Sequence, residues 1–226
     1  TEGGRQMTRL ASNPFEAARI EAHEALASTV TRALSKKGYE AVFAPTKEDA
    51  LAKVLELIPE GAVVGVPGTV TIREIGALEK LAERGCTIHH HWNPSLTPEE
   101  RMQTLMDEYC ADYFLTSANA VTRDGMIVNI DGNGNRVSAM AWGRGVLIFV
   151  IGVNKVAGSL EEAINRARTA TPPNVLRLSG NTPCVRTGHC VDCDSPSRVC
   201  RALLILERPT MGRRTHVIMV GESLGY

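Results

Sequence analysis

Apolar positions near the start of the chain recur every three to four residues. Phe15, Ala18, Ala22, Leu26, Val30 and Leu34 form one stripe, the spacing of an amphipathic helix. Asn13 is placed to cap it, Pro14 suits its first position, Glu16 extends the capping pattern and Gly38 ends it. The pattern then shortens. Ala41–Ala44 reads as a strand, and Thr46 caps a second helix carrying Ala50, Leu51, Val54, Leu55 and Ile58 up to Pro59. Ala62–Val66 is a continuous apolar run, as expected of a strand buried on both faces. Thr71 and Glu74 have capping-box spacing, which predicts a helix from there to Gly85. Cys86–His89 follows as a strand, Thr97 and Pro98 open a helix with Leu105 and Met106 on its core face, and Tyr113–Thr116 is again a strand. Such strand–helix–strand repetition implies a largely parallel sheet with right-handed crossovers.

The rhythm changes after residue 125. Met126–Asp131 and Arg136–Trp142 flank Gly132-Asn133-Gly134-Asn135 and read as an inserted β-hairpin, because Gly and Asn supply the positive φ of a tight turn. Val146–Val153 is the most apolar stretch and reads as a central strand. Ser159 and Glu162 open another helix. Thr171 to about Arg201 reads as a loop rich in Pro, Gly, Thr and Cys, and Ala202–Leu206 and His216–Val220 read as closing strands. The expected architecture is a single α/β domain over residues 7–226, with residues 1–6 read as a tag remnant ahead of Met7.

Composition narrows the function classes. The 226 residues are 43% hydrophobic, enough for a large core, and 25 Lys+Arg balance 25 Asp+Glu. A neutral chain is a poor general binder of nucleic acid, which rewards a basic surplus. No apolar run reaches membrane-spanning length and no signal-peptide core is seen, so the expected location is the cytoplasm. Thiols stay reduced there, and the six cysteines are not read as a disulfide framework.

Four of those cysteines carry the sharpest chemical signal. Cys184, Cys190, Cys193 and Cys200 fall in one loop, residues 184–200, spaced Cys-x5-Cys-x2-Cys-x6-Cys. Thiolates are soft ligands suited to iron–sulfur clusters and zinc. Structural zinc usually pairs two short hooks, whereas only one is present here, so the spacing favours a [4Fe–4S] cluster with zinc as the alternative. Arg186, Arg198 and Arg201 would offset the thiolate charge. Cys86 and Cys110, in apolar contexts, read as buried structural thiols.

Two weaker signals point to a small anionic substrate. The strand–loop–helix at Val63–Glu74 places Gly68, Thr69 and Thr71 where backbone N–H groups and hydroxyls can meet an anion, although it matches neither common nucleotide fingerprint. Asn119, Asn129, Asp131, Asn135, Arg136, Asn154 and Lys155 lie at strand ends, where open α/β sheets bind ligands. Asn and Asp also serve turns. Asp131, Arg136 and Lys155 read as functional, because long charged side chains are not needed to make a turn. In His89-His90-His91 successive side chains alternate in direction, so the three cannot easily face one ion; a single functional histidine is the better reading, and no role is favoured over that.

Gly68–Gly76, Leu115–Gly125, Asn129–Val137 and Gly152–Lys155, taken in order, resemble the LUD-domain (lactate-utilisation) family. The resemblance runs from about Phe15 onward, and the cysteine loop is similar to that of a subset of the family. It implies a Rossmann-like three-layer fold of the type found in sugar-phosphate isomerases, CoA transferases and formyltetrahydrofolate cyclo-ligase. It also implies association with bacterial lactate oxidation beside iron–sulfur subunits. Three functions follow as expectations. The first is an iron–sulfur redox component acting on lactate or a related carboxylate. Cys184, Cys190, Cys193 and Cys200 would hold the cluster and Arg136 and Lys155 the carboxylate. With no flavin or nicotinamide motif visible, a partner subunit would carry electrons onward. The second is a non-redox isomerase, lyase or transferase with Asp131 or Glu74 as base. The third is a regulatory binding protein with a structural metal. The apolar strands are compatible with a homodimer.

Overall fold

The computed structural model describes residues 13–226; the proposed tag remnant at residues 1–6 lies outside them. Helix α1 spans Pro14–Lys36, β1 Glu40–Ala44, α2 Lys47–Leu57, β2 Val63–Gly65, α3 Val70–Glu74, α4 Ala77–Glu83, β3 Thr87–His89, α5 Pro98–Cys110, β4 Tyr113–Thr116, β5 Ala120–Thr122 and β6 Ile127–Asp131. There follow α6 at Asn135–Trp142, β7 at Val146–Gly152, a 3-10 turn at Val153–Lys155, β8 at Val156–Ala157, α7 at Leu160–Thr169, α8 at Thr171–Arg177, α9 at Pro183–Thr187, β9 at Ala202–Leu206 and β10 at Thr215–Val220.

Six strands form a wholly parallel sheet in the order β1-β10-β7-β4-β2-β3. The apolar run of β7 sits inside it, and its side chains divide with period two. Ile148 and Val150 join Val64, Leu115, Ile218 and Val220 in a core shared with α2, α3 and α4. Leu147, Phe149 and Ile151 join Phe114, Val217 and Met219 in a core shared with α1 and α6. A sheet covered by helices on both faces is the Rossmann-like three-layer arrangement, and it explains why these strands are apolar throughout rather than alternating. Among the described residues no helix is long and apolar enough to cross a membrane.

A smaller sheet, in the order β8-β5-β6-β9, packs on the α1 side. Ile127 and Leu206 reach the main core, while Val128 and Ile130 turn to α7. This corrects the expected hairpin. β6 does pair antiparallel, but with β5 before it and β9 far along the chain. Arg136–Trp142 is helix α6, not a strand. Gly134, at φ 84°, starts it, and the Asp131 carboxylate accepts the backbone N–H of Arg136 at 2.8 Å and of Val137 at 3.4 Å. Satisfying those otherwise orphaned donors, with Ala139 and Met140 turned into the core, favours helix over strand.

Three smaller expectations change as well. The helix foreseen from Thr71 to Gly85 is two helices, broken at Gly76 with φ 71°. The segment 171–201 is not all loop, since Pro172 and Pro183 sit in the first turns of α8 and α9, where a missing N–H costs nothing. On α5 the buried residue is Glu108, whereas Met106 is exposed. Cys86 is buried as expected, but Cys110 is exposed.

Candidate functional site

The C-terminal ends of β2, β4 and β7 lie side by side, and each leads into a loop that contributes to one pocket. After β2 come Gly68, Thr69 and Thr71; after β4, Ser117 and Asn119; after β7, Lys155. Together with Arg136, Asn174 and Tyr226 they line a recess of about 30 Å³. It adjoins a wider cavity of about 230 Å³, walled by His91, Trp92, Asp131, Asn135, Arg136, Thr171, Asn174, Arg177 and Val199 among others. Gly68, Asn119, Arg136 and Asn174 border both.

Lys155 is the focus of the recess. It is 4% exposed, and its Nζ donates to Thr71 Oγ1 and Ser117 Oγ, both at 2.9 Å. Ser117 Oγ in turn donates to Val150 O at 2.6 Å, which fixes it as an acceptor for the amine. Burial lowers the Lys155 pKa to about 7; Arg166 and Arg136 push it further down while Glu74 opposes them. A lysine balanced between charged and neutral forms at physiological pH, with two of its positions committed to hydroxyls, has one left for a ligand. The expected cap at Thr71 is not formed, because α3 begins at Val70 with Thr69 at its N-cap and no side-chain cap; Thr71, inside the helix, gives its hydroxyl to Lys155.

Arg136 and Arg177 dominate the wider cavity. Arg136 Nη2 donates to Ile130 O at 2.7 Å and pairs with Asp131 at 3.3 Å. Arg177 donates through Nε to Asn174 Oδ1 at 2.9 Å and through Nη2 to Gly68 O at 3.3 Å. The Nη1 groups of both have no partner among the described residues. Trp92 lies within 3.9 Å of the Arg177 guanidinium and 4.6 Å of that of Arg73, both over its ring. Burial, then the neighbouring Arg136, brings the Arg177 pKa down to about 10, with Tyr226 opposing and Arg73 adding to the fall. Crowded cations in a pocket with their acidic neighbours already engaged favour an anionic ligand. Gly68 is required by space as well as by its φ of 56°, since a Cβ there would lie 2.2 Å from the Trp92 indole nitrogen.

The remaining residues singled out in the sequence divide between the pocket wall and the structure behind it. Glu74 accepts the Gly225 N–H at 2.6 Å, and Asn154 accepts the Leu224 N–H at 3.0 Å. Neither lines the pocket. They hold the segment 224–226 in place, where a Cβ on Gly225 would come within 3.1 Å of Lys155 Nζ. Asn119 uses Oδ1 to accept Ile130 N–H at 2.9 Å, and Asn135 lies on the cavity wall in the first turn of α6. Asp131 borders the cavity, but its oxygens accept three backbone N–H groups, from Gly132, Arg136 and Val137, besides the Arg136 side chain. Its carboxylate is thus engaged at the start of α6. Asp131→Ala should therefore lower stability by about 2–4 kcal/mol, because the buried donors and the guanidinium lose their acceptor. Thermal melts check this, and an unchanged midpoint would show that the cap is dispensable.

The four loop cysteines come together. Cys184, Cys190, Cys193 and Cys200 all line one small cavity with Arg168, Thr171 and Arg198. Arg198 shapes the loop by donating to Cys193 O and Cys200 O, both at 2.9 Å. Burial, then the proximity of Cys190 and Cys184, raises the Cys200 thiol pKa, opposed by its bond to Thr171 and by Arg198. Arg168 borders the same cavity, and its buried Nε has no partner among the described residues, a donor suited to the sulfur-rich negative charge of a thiolate-bound group. As they stand, no three His, Cys, Asp or Glu side chains among the described residues are gathered tightly enough for a single metal ion. The cavity shares a wall with the cationic pocket. Thr171 borders both, and Cys200 Sγ lies 3.7 Å from its Oγ1.

The family model of the LUD domain matches residues 27–220. The chain belongs to the LUD-domain family. Among solved structures it is similar to a DUF162-family protein of Deinococcus radiodurans, at 15% identity and a TM-score of 0.47, covering 88% of this chain and 98% of that one. It is similar more distantly to the translation initiation factor eIF-2B of Pyrococcus horikoshii OT3, at 14% identity and a TM-score of 0.32, covering 65% of this chain and 51% of the other. No curated protein matches it. For this LUD-domain protein, sequence reasoning missed Ser117, Arg166, Asn174, Arg177 and Trp92. Ser117 stands within the Thr116–Asn119 motif and was within reach. Arg166, which ties Asn154 O and Asn119 O together, and Arg177 carry no local signal. Their roles arise from helix packing.

Proposed function

We propose that this LUD-domain protein is an iron–sulfur redox component that binds a small 2-hydroxy- or 2-oxocarboxylate, lactate being the simplest, in the pocket between Lys155, Arg136 and Arg177. The observation that carries this reading is the shared wall at Thr171, which sets a four-thiol cavity directly beside a cationic pocket. The planar Arg136 and Arg177 groups suit the carboxylate, whose two oxygens match a guanidinium fork. The third position on Lys155 Nζ suits a further oxygen of the ligand. Cys184, Cys190, Cys193 and Cys200 would hold a [4Fe–4S] cluster, which when bound supplies one-electron transfer. A single zinc held by the same four thiols is the alternative. A partner subunit would take the electrons onward.

Purification without oxygen, followed by a visible spectrum and assays for iron, sulfide and zinc, tests the cofactor. About four irons and four sulfides per chain are expected; a colourless protein with one zinc would overturn it. Calorimetry with pyruvate tests the pocket. Anion binding should favour the charged form of Lys155, so affinity should fall as pH rises above about 7. Affinity that rises with pH over that range would count against Lys155 as the anion partner.

A second reading keeps the pocket and drops the redox step. An amine brought down to about 7 is also suited to acid–base or carbonyl chemistry. An isomerase or lyase acting on the same class of substrate would show turnover with no dye reduced.

A further inference from the structure

The cationic pocket needs a proton acceptor if a hydroxyl is to react there, and its evident carboxylate, Asp131, is already engaged by the start of α6. His91 supplies another candidate. It follows β3 and lines the wide cavity beside Trp92. Its Nδ1 lies 2.7 Å from Glu108 Oε1, and its backbone N–H donates to the same oxygen at 2.7 Å. Glu108, on α5, is 2% exposed, and among the described residues no Lys or Arg forms a salt bridge with it. Burial raises its pKa, and His91 is the chief group opposing that rise.

Glu108 Oε1 already acts as an acceptor for the His91 backbone N–H, and a second bond to that oxygen from the ring places the proton on Nδ1 and the lone pair on Nε2. Nδ1 is engaged by Glu108 on α5 and His91 borders the cavity, so Nε2 is the ring nitrogen left for a ligand there. The other charged groups close to this segment are Arg101, which donates to His91 O at 3.1 Å, Asp107, 3.8 Å from His89, and Arg73 and Arg177 over Trp92. His90 adjoins it as well, its pKa lowered by burial, then by Arg73 and His91; among the described residues only Glu108 hydrogen-bonds the His91 ring.

We infer that His91 is the proton-transferring residue of this pocket and Glu108 its positioning residue. The substrate's hydroxyl O–H bond breaks, the proton forms a bond to Nε2, and the electron pair stays on the oxygen. Glu108 then faces the imidazolium. In the opposite direction the same nitrogen returns the proton to the oxygen. The inference rests on the reading that the pocket binds a small hydroxy- or oxocarboxylate.

The test uses the full chain with its metal content intact and nitrogen-15 labelled histidine, the His91→Asn variant assigning the signal. At pH 8 the His91 ring should carry its proton on Nδ1, and the Nε2 resonance should move when pyruvate is added. In lactate-dependent dye reduction, His91→Asn should lower kcat about 100-fold. Glu108→Gln should lower it at least about tenfold, with KM little changed and the acidic limb of the pH profile displaced. If calorimetry shows pyruvate bound to the native chain while Nε2 does not respond, or if the ring proton is on Nε2, the inference fails and the pocket reading stands. If neither pyruvate nor lactate binds, the pocket reading fails and takes the inference with it. If both bind and the NMR response is seen but kcat is unchanged in His91→Asn, His91 is a contact residue and the proton-transfer role is overturned.

Discussion

Replacing Lys155 by methionine is expected to weaken binding of pyruvate roughly 100-fold and at the same time to make the protein more stable at pH 6. Both effects come from one cause. Lys155 is 4% exposed, and among the described residues its amine holds two hydroxyl partners, Thr71 and Ser117. A charged group so placed has lost more hydration than those bonds return. Methionine keeps the length of the side chain and removes the charge, so a gain of about 1–3 kcal/mol is reasonable at pH 6. The pH dependence has a definite sign. The folded amine releases its proton near pH 7, against an ordinary value of 10.5. Between those values the unfolded chain binds more protons, so the native protein gains stability as pH rises through this window and loses it as pH falls toward 7. The variant lacks that dependence, and its advantage should be largest below pH 7 and shrink toward pH 10. Thermal melts of both proteins at pH 6 and 9 check this. A variant less stable than the native protein at pH 6 would mean that Lys155 is a structural tie rather than a strained ligand group. The affinity loss follows because a desolvated charge touching an anion contributes about 2–5 kcal/mol when truncated.

Cys193→Ser should remove bound iron while leaving the anion pocket in working order. Cys193 belongs to the single Cys-x2-Cys hook and lines the cavity with the other three cysteines. A serine oxygen is a poor substitute for a soft thiolate ligand. Iron per chain should fall from about four to below about one, and dye reduction should be lost. Pyruvate affinity should change by less than about threefold, because Arg136, Arg177 and Lys155 are anchored on other elements: Ile130 and Asp131, Asn174 and Gly68, and Thr71 and Ser117. Full retention of iron in this variant would remove Cys193 from the ligand set. Loss of both iron and pyruvate binding would show that the shared wall at Thr171 couples the two cavities more strongly than contact alone requires.

Much of the central layer was legible in the chain itself. Apolar runs at β1, β2, β4, β7 and β10 have no polar face to offer solvent, so a sheet covered on both sides is the arrangement that buries them. The caps at Asn13, Thr46, Thr97 and Ser159 are local hydrogen bonds between near neighbours, and all four form. The cysteine spacing was equally visible. The second sheet was not. Its edge pair, β6 with β9, joins residues more than seventy positions apart, and a two-residue strand such as β8 carries no periodicity of its own. The stretch 132–142 was misread for a related reason. Gly and Asn suit a hairpin turn as well as a left-handed helix start, and the choice was made by the Asp131 carboxylate, whose bonds are invisible until α6 packs its Ala139 and Met140 on the core.

The sequence by itself determined the parallel sheet, the family, the cysteine loop and the charged residues Arg136 and Lys155, because each depends on residue type and on neighbours within a few positions. Only the tertiary structure decided what those residues do. It lowered the Lys155 pKa by burying it against Thr71 and Ser117, spent Asp131 on a helix start, turned Glu74 and Asn154 toward the segment 224–226, and brought Arg177, Trp92 and His91 to the same cavity from distant parts of the chain. Desolvation and proximity are properties of the packed core. They depend on which surfaces meet, and no local stretch of sequence records that.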